Sequence, residues 1–509
     1  MSKPLPGPFY NVTTLVGTAI ALISLTLILF LSAIEFFAKE HKLYMSLVAY
    51  LVLPALLILG LVIAGFGAYR ERNRRLTGKG EPFQFPIVNL NEKKHRRAVL
   101  LVGYVVILIF GVAAFTSYQA YEHTDSDQFC GTLCHSVMEP EFTAYSYSPH
   151  ARVGCAKCHI GPGAGWYVRS KLSGLYQVYA TAFDKFPRPI PTPIEDLRPA
   201  QETCEVCHSP KHFFGEELKV TNYFLSDDKN SPWHLKMLMK TGQGHAETGP
   251  TSGIHWHMNV SNEITYAAAD RRRASIPWVR VRTADGTERI YKDNATQLTD
   301  KDIEALPRRR MDCIDCHNRP THIYRPPQQA INEVMDRGWI DPSLPSIKSV
   351  GVQALDAQYE TKGAGLDGIR KTVEDFYRED HPDLLTAQKV KIDQAVEQLQ
   401  RIYARNYFPE MKHDWRQYPD HIGHMYSPGC FRCHDGKHVS NDGKVLSRDC
   451  NSCHVILEQQ IESAELRTSL KGLEYQHPVN IGEAWKVMDC TQCHAPRPLT
   501  SASAKAGQG

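Results

Sequence analysis

The cysteines constrain what this 509-residue chain can fold into more than any other feature. All 14 cysteines fall in seven motifs, and in each motif the second cysteine is followed directly by a histidine. The first motif, Cys130-Gly-Thr-Leu-Cys134-His135, has one more residue between its cysteines than the other six. The six regular motifs are Cys155 to Cys158-His159, Cys204 to Cys207-His208, Cys313 to Cys316-His317, Cys430 to Cys433-His434, Cys450 to Cys453-His454 and Cys490 to Cys493-His494. Motifs that leave no cysteine over indicate one chemistry, repeated seven times.

This spacing is typical of covalent c-type haem attachment. Two thiols about one helical turn apart can bond to the two vinyl groups of one porphyrin, and the next histidine then points at the iron. Disulfide pairing would not explain the histidines, and zinc sites would need complete four-ligand sets. We therefore predict seven haems, bound by all 14 cysteines, with His135, His159, His208, His317, His434, His454 and His494 as proximal iron ligands.

Further histidines are available as second axial ligands. Fourteen of them follow Tyr121 outside the motifs, more than seven haems need. Every haem can therefore be six-coordinate, which favours electron transfer over small-molecule chemistry at an open iron position. We predict His322, His424 and His438 as distal ligands from their places near the motifs, and we add His150, His257 and His477. His245 and His255 follow as candidates, and His123, His212, His234, His381, His413 and His421 are interpreted as surface or hydrogen-bonded histidines.

Three segments near the N-terminus lack Asp, Glu, Lys and Arg. They cover residues 13–34, 43–69 and 98–121, and each reaches the length of about 20 residues that a helix needs to cross a bilayer. For the first segment the alternative is a cleaved signal peptide, but its apolar run is too long and lacks a clear cleavage site. We predict three transmembrane helices.

Basic residues predict the orientation of these helices. Nine cations lie in the loop 70–97 between the second and third segments, and such loops stay on the cytoplasmic side. The N-terminus is then cytoplasmic, and everything after Tyr121 is periplasmic, outside the inner membrane. Residues 1–117, which include this loop, carry a formal charge of +7, and the rest of the chain carries −4. The total of +3 therefore gives no indication of nucleic-acid binding.

The expected fold class is mostly α with much irregular structure, in which three transmembrane helices precede a periplasmic multihaem domain with minor β-hairpins. The unequal motif spacing argues against a tandem repeat. We expect a membrane anchor at 1–121, a four-haem region at 122–329, a three-haem region with a helical linker at 330–499, and a disordered tail at 500–509.

Local patterns predict several elements in the haem region. Residues 187–193 form a proline-rich connection, and 279–291 alternate around Asp285-Gly286 as a β-hairpin. Apolar residues between 384 and 403 recur at helical spacing. A second helix is predicted over 455–470.

At this point the sequence resembles the NapC/NirT family of membrane-anchored quinol dehydrogenases. The resemblance rests on Cys130 to His135 with Met138, on Ser148-Pro-His150, on Cys155 to His159, and on the segment 171–176. It is strong to about residue 210 and weakens through Cys316-His317-Asn-Arg-Pro-Thr-His322. The whole layout resembles the seven-haem inner-membrane cytochromes of metal-reducing bacteria.

The resemblance implies that menaquinol is oxidised at the periplasmic membrane face and that electrons leave singly to periplasmic c-type cytochromes, in anaerobic or extracellular respiration. The lipid bilayer and menaquinol are then the membrane partners. Because the first haem motif begins nine residues after Tyr121, its haem is expected close to the membrane surface.

Two site residues follow from the resemblance. The family often binds its first haem iron through a methionine, so that here either Met138 replaces His135 as ligand or Met138 packs against the ring. We favour ligation by Met138. Lys171 matches the basic residue that the family uses at the quinol site, with a lysine lying in the membrane interface as the alternative. The acidic residue that accompanies this lysine in the family has no clear match in this chain, because the next acidic residue after Lys171 is Asp184.

Two other functions stay open. A haem wire fed by a partner membrane subunit would have the same motifs without a quinol site. A nitrite or hydroxylamine reductase would need a five-coordinate haem, and no motif here replaces histidine by lysine as some such reductases do.

Overall fold

The computed structural model describes residues 11–37, 53–77, 89–132, 135–161, 164–194, 197–208, 215–242, 253–259, 261–462 and 464–494. The predicted tail 500–509 and residues 43–52 of the second membrane segment lie outside these ranges. The α-helices are α1 (Val12–Phe37), α2 (Leu53–Leu76), α3 (Lys93–Thr124), α4 (Asp127–Thr132), α5 (His135–Ser146), α6 (Cys155–His159), α7 (Ala164–Ala182), α8 (Ala200–Thr203), α9 (Asp300–Ala305), α10 (Cys313–Cys316), α11 (Pro327–Asp336), α12 (Ile347–Asp356), α13 (Lys362–Asp380), α14 (Pro382–Ala387), α15 (Lys389–Asn406), α16 (Ala484–Val487) and α17 (Thr491–His494).

Short 3-10 turns and strands complete the described structure. The 3-10 turns are Cys204–Val206, Ile254–Met258, Pro409–Met411, Gly429–Arg432 and Cys450–Ser452. The strands are β1 (Glu217–Phe224), β2 (Pro232–Met239), β3 (Glu263–Ala267), β4 (Trp278–Arg282), β5 (Glu288–Asp293), β6 (Arg308–Arg310), β7 (Tyr407–Phe408), β8 (His413–Asp414), β9 (His438–Ser440), β10 (His454–Ile461) and β11 (Arg467–Thr468). The mostly helical fold class with small sheets is confirmed.

The chain divides into two units. The first comprises residues 1–126 and 159–178, and the second comprises 127–158 and 179–509. The first unit contains α1, α2 and α3, which are long and apolar enough to cross a membrane. The three predicted membrane helices are thereby confirmed by length and composition. The helix α2 continues seven residues past the predicted end, to Leu76, because its arginines are good helix formers.

Small residues bring α1 and α2 close together. A Cβ added at Gly17 would lie 2.4 Å from the backbone nitrogen of Ala64, and one added at Gly60 would lie 2.7 Å from that of Ala21. Backbones of membrane helices approach this closely only at small residues. In contrast, α3 exposes its apolar side chains along the described span, from Val99 to Phe115.

The described residues of the second unit form three sheets. One has the strand order β1-β2-β10-β11, the second β6-β3-β4-β5-β9, and the third pairs β7 with β8. The predicted hairpin is confirmed as β4 and β5, with Gly286 at φ +81° in the turn. The helix predicted over 455–470 is wrong, because His454–Ile461 pairs as β10 with β2. The tertiary pairing prevails there over local propensity.

The largest hydrophobic core lies among α11, α12, α13 and α15. Its fully buried side chains include Ile331, Leu355, Ile369, Val396 and Leu399. The helix predicted between 384 and 403 is confirmed as α14 and α15, interrupted at Gln388. This segment between the fourth and fifth cysteine motifs therefore packs as a conventional helical core.

Candidate haem and quinol sites

Five motif histidines each face a second histidine in the second unit. The distances between ring centroids are 5.9 Å for His150 and His208, 6.4 Å for His255 and His317, 5.8 Å for His257 and His434, 6.3 Å for His424 and His454, and 6.2 Å for His477 and His494. Two imidazoles that bind opposite faces of one iron at roughly 2 Å per bond place their centroids about 6 Å apart. All five distances fit one iron between the two rings.

Hydrogen bonds to the backbone orient four of the distal rings. The Nδ1 atoms lie within hydrogen-bond distance of carbonyl oxygens, at 3.1 Å for His150 and Pro320, 2.7 Å for His255 and Thr241, 2.6 Å for His257 and Ile254, and 2.8 Å for His477 and Val479. A carbonyl oxygen only accepts, so this contact favours a proton on Nδ1 of His150, His255 and His257, whereas Nδ1 of His477 also lies 3.2 Å from the amide nitrogen of Val479. Such a bond is the usual way in which proteins set the tautomer of a metal-binding histidine.

Burial favours the neutral form of His424, His257 and His434. It lowers the pKa of His424 to about 4, with the neighbouring His454 and Arg448 acting in the same direction. Burial likewise lowers the pKa of His257 and of its partner His434. A histidine must be neutral to bind iron, so the protonation state fits the role of axial ligand.

The cysteines of the six regular motifs form no disulfide. Among the residues that the structure describes, no cluster of three or more His, Cys, Asp or Glu side chains could hold a metal ion by itself. Free thiols and paired histidine rings fit covalent haem attachment.

In the first unit, Lys171 lies beside the end of α3. Its Nζ donates to Oδ1 of Asp125 at 3.3 Å and to Oγ1 of Thr124 at 3.4 Å. The Asp125 side chain is 16% exposed and that of Lys171 36%, so the ion pair is reachable from outside. On the same helix as Lys171, α7, the apolar side chains of Leu172, Leu175 and Tyr176 are exposed.

Comparison with known proteins supplies the family. Residues 91–190 match the model of the NapC/NirT cytochrome c family, N-terminal region. The chain is also 42% identical to the cytochrome c-type protein ImcH of Geobacter sulfurreducens over 489 residues, which is 96% of each chain. The chain belongs to the NapC/NirT cytochrome c family. This NapC/NirT cytochrome is a membrane-associated multihaem c-type cytochrome of electron transport. No solved structure matches it.

The structure places the six predicted distal ligands of the NapC/NirT cytochrome in different settings. His150, His257, His424 and His477 each face a motif histidine. The fifth facing histidine, His255, was only a secondary candidate from the sequence. Its signal is the pattern His255-Trp-His257, in which two histidines flank a tryptophan on one short turn.

The structure places His438 differently from the expected distal ligands that face a motif histidine. His438 is 1% exposed, and its Nδ1 lies 2.9 Å from Oδ1 of Asp435 while its Nε2 lies 2.7 Å from the carbonyl oxygen of Ile276. Both neighbours only accept, so both ring nitrogens donate and the ring has no lone pair for iron. The ligand role expected for His438 does not fit this geometry, which instead ties β9 to the loop before β4.

His322 keeps a geometry compatible with its expected role. Its Nδ1 donates to the carbonyl oxygen of Glu141 at 3.0 Å, as in the paired histidines. Ligation by His322, His135 and His159 stays a prediction, and the side chain of His135 lies outside the described residues. Met138 is half-buried on α5, and its ligation also stays a prediction.

Two histidines interpreted from the sequence as surface or hydrogen-bonded are buried. His413 packs between Tyr324 and Tyr418, with ring centroids 4.1 and 4.3 Å away, and burial lowers its pKa to about 3. His421 is buried against the carbonyl oxygen of Asp315, which its Nδ1 contacts at 3.3 Å. Neither faces a motif histidine among the pairs above.

Sequence reasoning missed Asp125 as the acidic partner of Lys171. The next acidic residue after Lys171 along the chain is Asp184, which instead pairs with Arg188 at 2.6 Å. Asp125 lies upstream, directly after α3. Its signal was an acidic residue at the point where the last apolar segment ends.

Proposed function

We propose that this cytochrome oxidises menaquinol at the periplasmic face of the inner membrane and delivers the electrons to periplasmic c-type cytochromes. Seven covalent haems, when bound, supply the chemistry that takes up electrons and passes them on singly. The observation that carries the proposal is the ion pair of Lys171 and Asp125 at the end of α3.

The position of this pair supports access from the bilayer. Asp125 is the first residue after α3, whose span is long and apolar enough to cross a membrane. The exposed Leu172, Leu175 and Tyr176 continue the apolar surface along α7. These side chains give a lipid-soluble quinol an apolar surface next to Lys171.

The chemistry of the pair suits a quinol. Oxidation of menaquinol to menaquinone releases two protons with two electrons, so a base is needed near the hydroxyl groups. The ammonium group of Lys171 can donate a hydrogen bond to a quinol oxygen, and the carboxylate of Asp125 can accept a hydroxyl proton. Their separation of 3.3 Å lets both groups contact one hydroxyl.

The basic loop supports the orientation. Its nine cations between residues 70 and 97 favour a cytoplasmic loop and N-terminus. The end of α3, with Asp125, then lies on the periplasmic side, and protons from quinol are released there. Cys130 follows Asp125 by only five residues, so the first haem motif begins on the same side.

The test compares reduction by a menaquinol analogue with reduction by dithionite, in the full-length holoprotein. In Lys171→Ala and in Asp125→Asn we expect quinol-dependent reduction to slow by about 100-fold, the lower end of what a positioned acid or base contributes. Dithionite should reduce both variants as it reduces the wild type. Lys185→Ala, which removes an exposed lysine just after α7, serves as the matched control.

Two outcomes would count against the proposal. Unchanged quinol rates in both variants would remove the pair from the mechanism. A wild-type protein that dithionite reduces but the quinol analogue does not would favour the haem wire fed by a partner membrane subunit.

A further inference from the structure

One short turn carries two of the five distal histidines. His255 and His257 both lie on the 3-10 turn Ile254–Met258. The ring of His255 faces His317, whereas that of His257 faces His434. The two motif histidines belong to different cysteine motifs, the fourth and the fifth, which the helical core from α11 to α15 separates along the chain.

We propose that the turn Ile254–Met258 is a bridge that provides the distal ligands of two different haems, those of Cys313 to His317 and Cys430 to His434. The proposal rests on the haem assignment above but not on the quinol reaction. It joins the four-haem region to the C-terminal haems through one rigid segment of five residues.

The turn is held by backbone hydrogen bonds at both histidines. The amide of Ile254 donates to the carbonyl oxygen of Lys240 at 2.7 Å, directly after β2. Nδ1 of His255 donates to Thr241 O at 2.7 Å, and Nδ1 of His257 to Ile254 O at 2.6 Å. These bonds orient both rings with Nδ1 towards the backbone of the turn and of the segment that follows β2.

Gly253 sets the position of the turn. Its φ is +88°, in the left-handed region, and a Cβ there would lie 2.5 Å from the carbonyl oxygen of Lys240 and 2.7 Å from that of Gly242. Any side chain at this position must displace the turn from the end of β2. Gly253 is therefore a positioning residue for both histidines.

A shared turn has an electrostatic consequence. An electron added to one haem changes the charge close to the other, and charges interact strongly in a protein interior. The midpoint potentials of the two haems should therefore depend on each other. A displacement of the turn should affect both haems together.

The two ring pairs differ in a way that spectroscopy can distinguish. The ring planes of His255 and His317 lie 10° apart, whereas those of His257 and His434 lie 87° apart. Nearly parallel imidazole planes separate the two iron d orbitals that interact with the ligands, and perpendicular planes leave these orbitals nearly equal in energy. The oxidised haems should thus give low-spin paramagnetic-resonance signals of smaller and larger anisotropy, respectively.

The experiment records paramagnetic-resonance spectra and potentiometric titrations of the full-length holoprotein. We expect His255→Ala to convert one haem of the near-parallel type to high spin, and His257→Ala one of the near-perpendicular type. Each variant should also shift the midpoint potential of the haem whose own ligands remain. Gly253→Ala should alter both signals at once, although neither histidine is replaced.

Controls separate the bridge from a general loss of structure. Gly363→Ala, whose methyl group meets no atom within 4 Å, should leave every signal unchanged, and His477→Ala should alter a signal other than these two. Covalent haem content is measured in each variant.

If Gly253→Ala does not assemble, the two histidine variants decide. The bridge is overturned if either histidine variant creates no high-spin haem, or if both convert the same haem. Quinol-dependent reduction is recorded separately, so that its failure bears only on the proposed quinol reaction.

Discussion

The atoms that contact the two ring nitrogens separate His438 from the histidines that face a motif histidine. In His150, His255, His257 and His477 a backbone carbonyl oxygen contacts Nδ1, and the ring faces that of a motif histidine. In His438 the carboxylate of Asp435 contacts Nδ1, and the carbonyl oxygen of Ile276 contacts Nε2. Closeness to a cysteine motif along the chain does not distinguish these cases.

The charge of His438 leads to a prediction about pH. Burial lowers the pKa of His438, but the bonds to Asp435 and to the Ile276 carbonyl outweigh it and hold the pKa above the ordinary value of 6.5. The stabilisation is then fully present below pH 6.5 and is lost as the pH rises through the raised value. His438→Ala should lower the free energy of unfolding by about 2 kcal/mol in acid and by less in alkaline solution, as measured by guanidinium titration.

His438→Ala also tests whether His438 is an iron ligand. His438→Ala should leave the number of low-spin haems unchanged, whereas His477→Ala should create one high-spin haem. Because both residues were expected ligands from the sequence, they form a matched pair. A new high-spin haem in His438→Ala would restore the ligand role.

At the level of elements, local pattern and tertiary pairing gave different answers. The helix α15 buries Ile392, Val396 and Leu399 at helical spacing, so the sequence pattern alone predicted it. The strand β10 contains Val455 and Ile456, for which a helix was predicted. Its partner β2 lies far away in the chain, and no local pattern shows that pairing.

The packing of α1 against α2 predicts the effect of larger residues. Gly17→Leu and Gly60→Leu should force the two backbones apart and lower the free energy of unfolding of the membrane anchor by about 1–3 kcal/mol. Gly65→Leu is the matched control, since a Cβ there meets no atom within 4 Å. Titration with a denaturing detergent measures the difference. Equal effects at all three positions would contradict close contact at Gly17 and Gly60.

On the scale of the whole molecule, the seven motifs predict the haem content. The mass of the denatured holoprotein should exceed that of the polypeptide by seven haems. The double variant Cys130→Ala, Cys134→Ala should carry six, which tests whether the irregular motif is used. If both the wild type and the double variant carry six haems, the irregular motif binds none.

The sequence by itself determined the membrane helices, the cysteine motifs and the family resemblance, because each depends on residues that are neighbours in the chain. Helix length, thiol spacing and the histidine after each second cysteine are local properties. Only the tertiary structure decided which histidines face the motif histidines, that Asp125 pairs with Lys171, and that two histidines of one turn face two different motif histidines. These choices depend on contacts between distant segments, where strand pairing and backbone hydrogen bonds set the direction of a side chain.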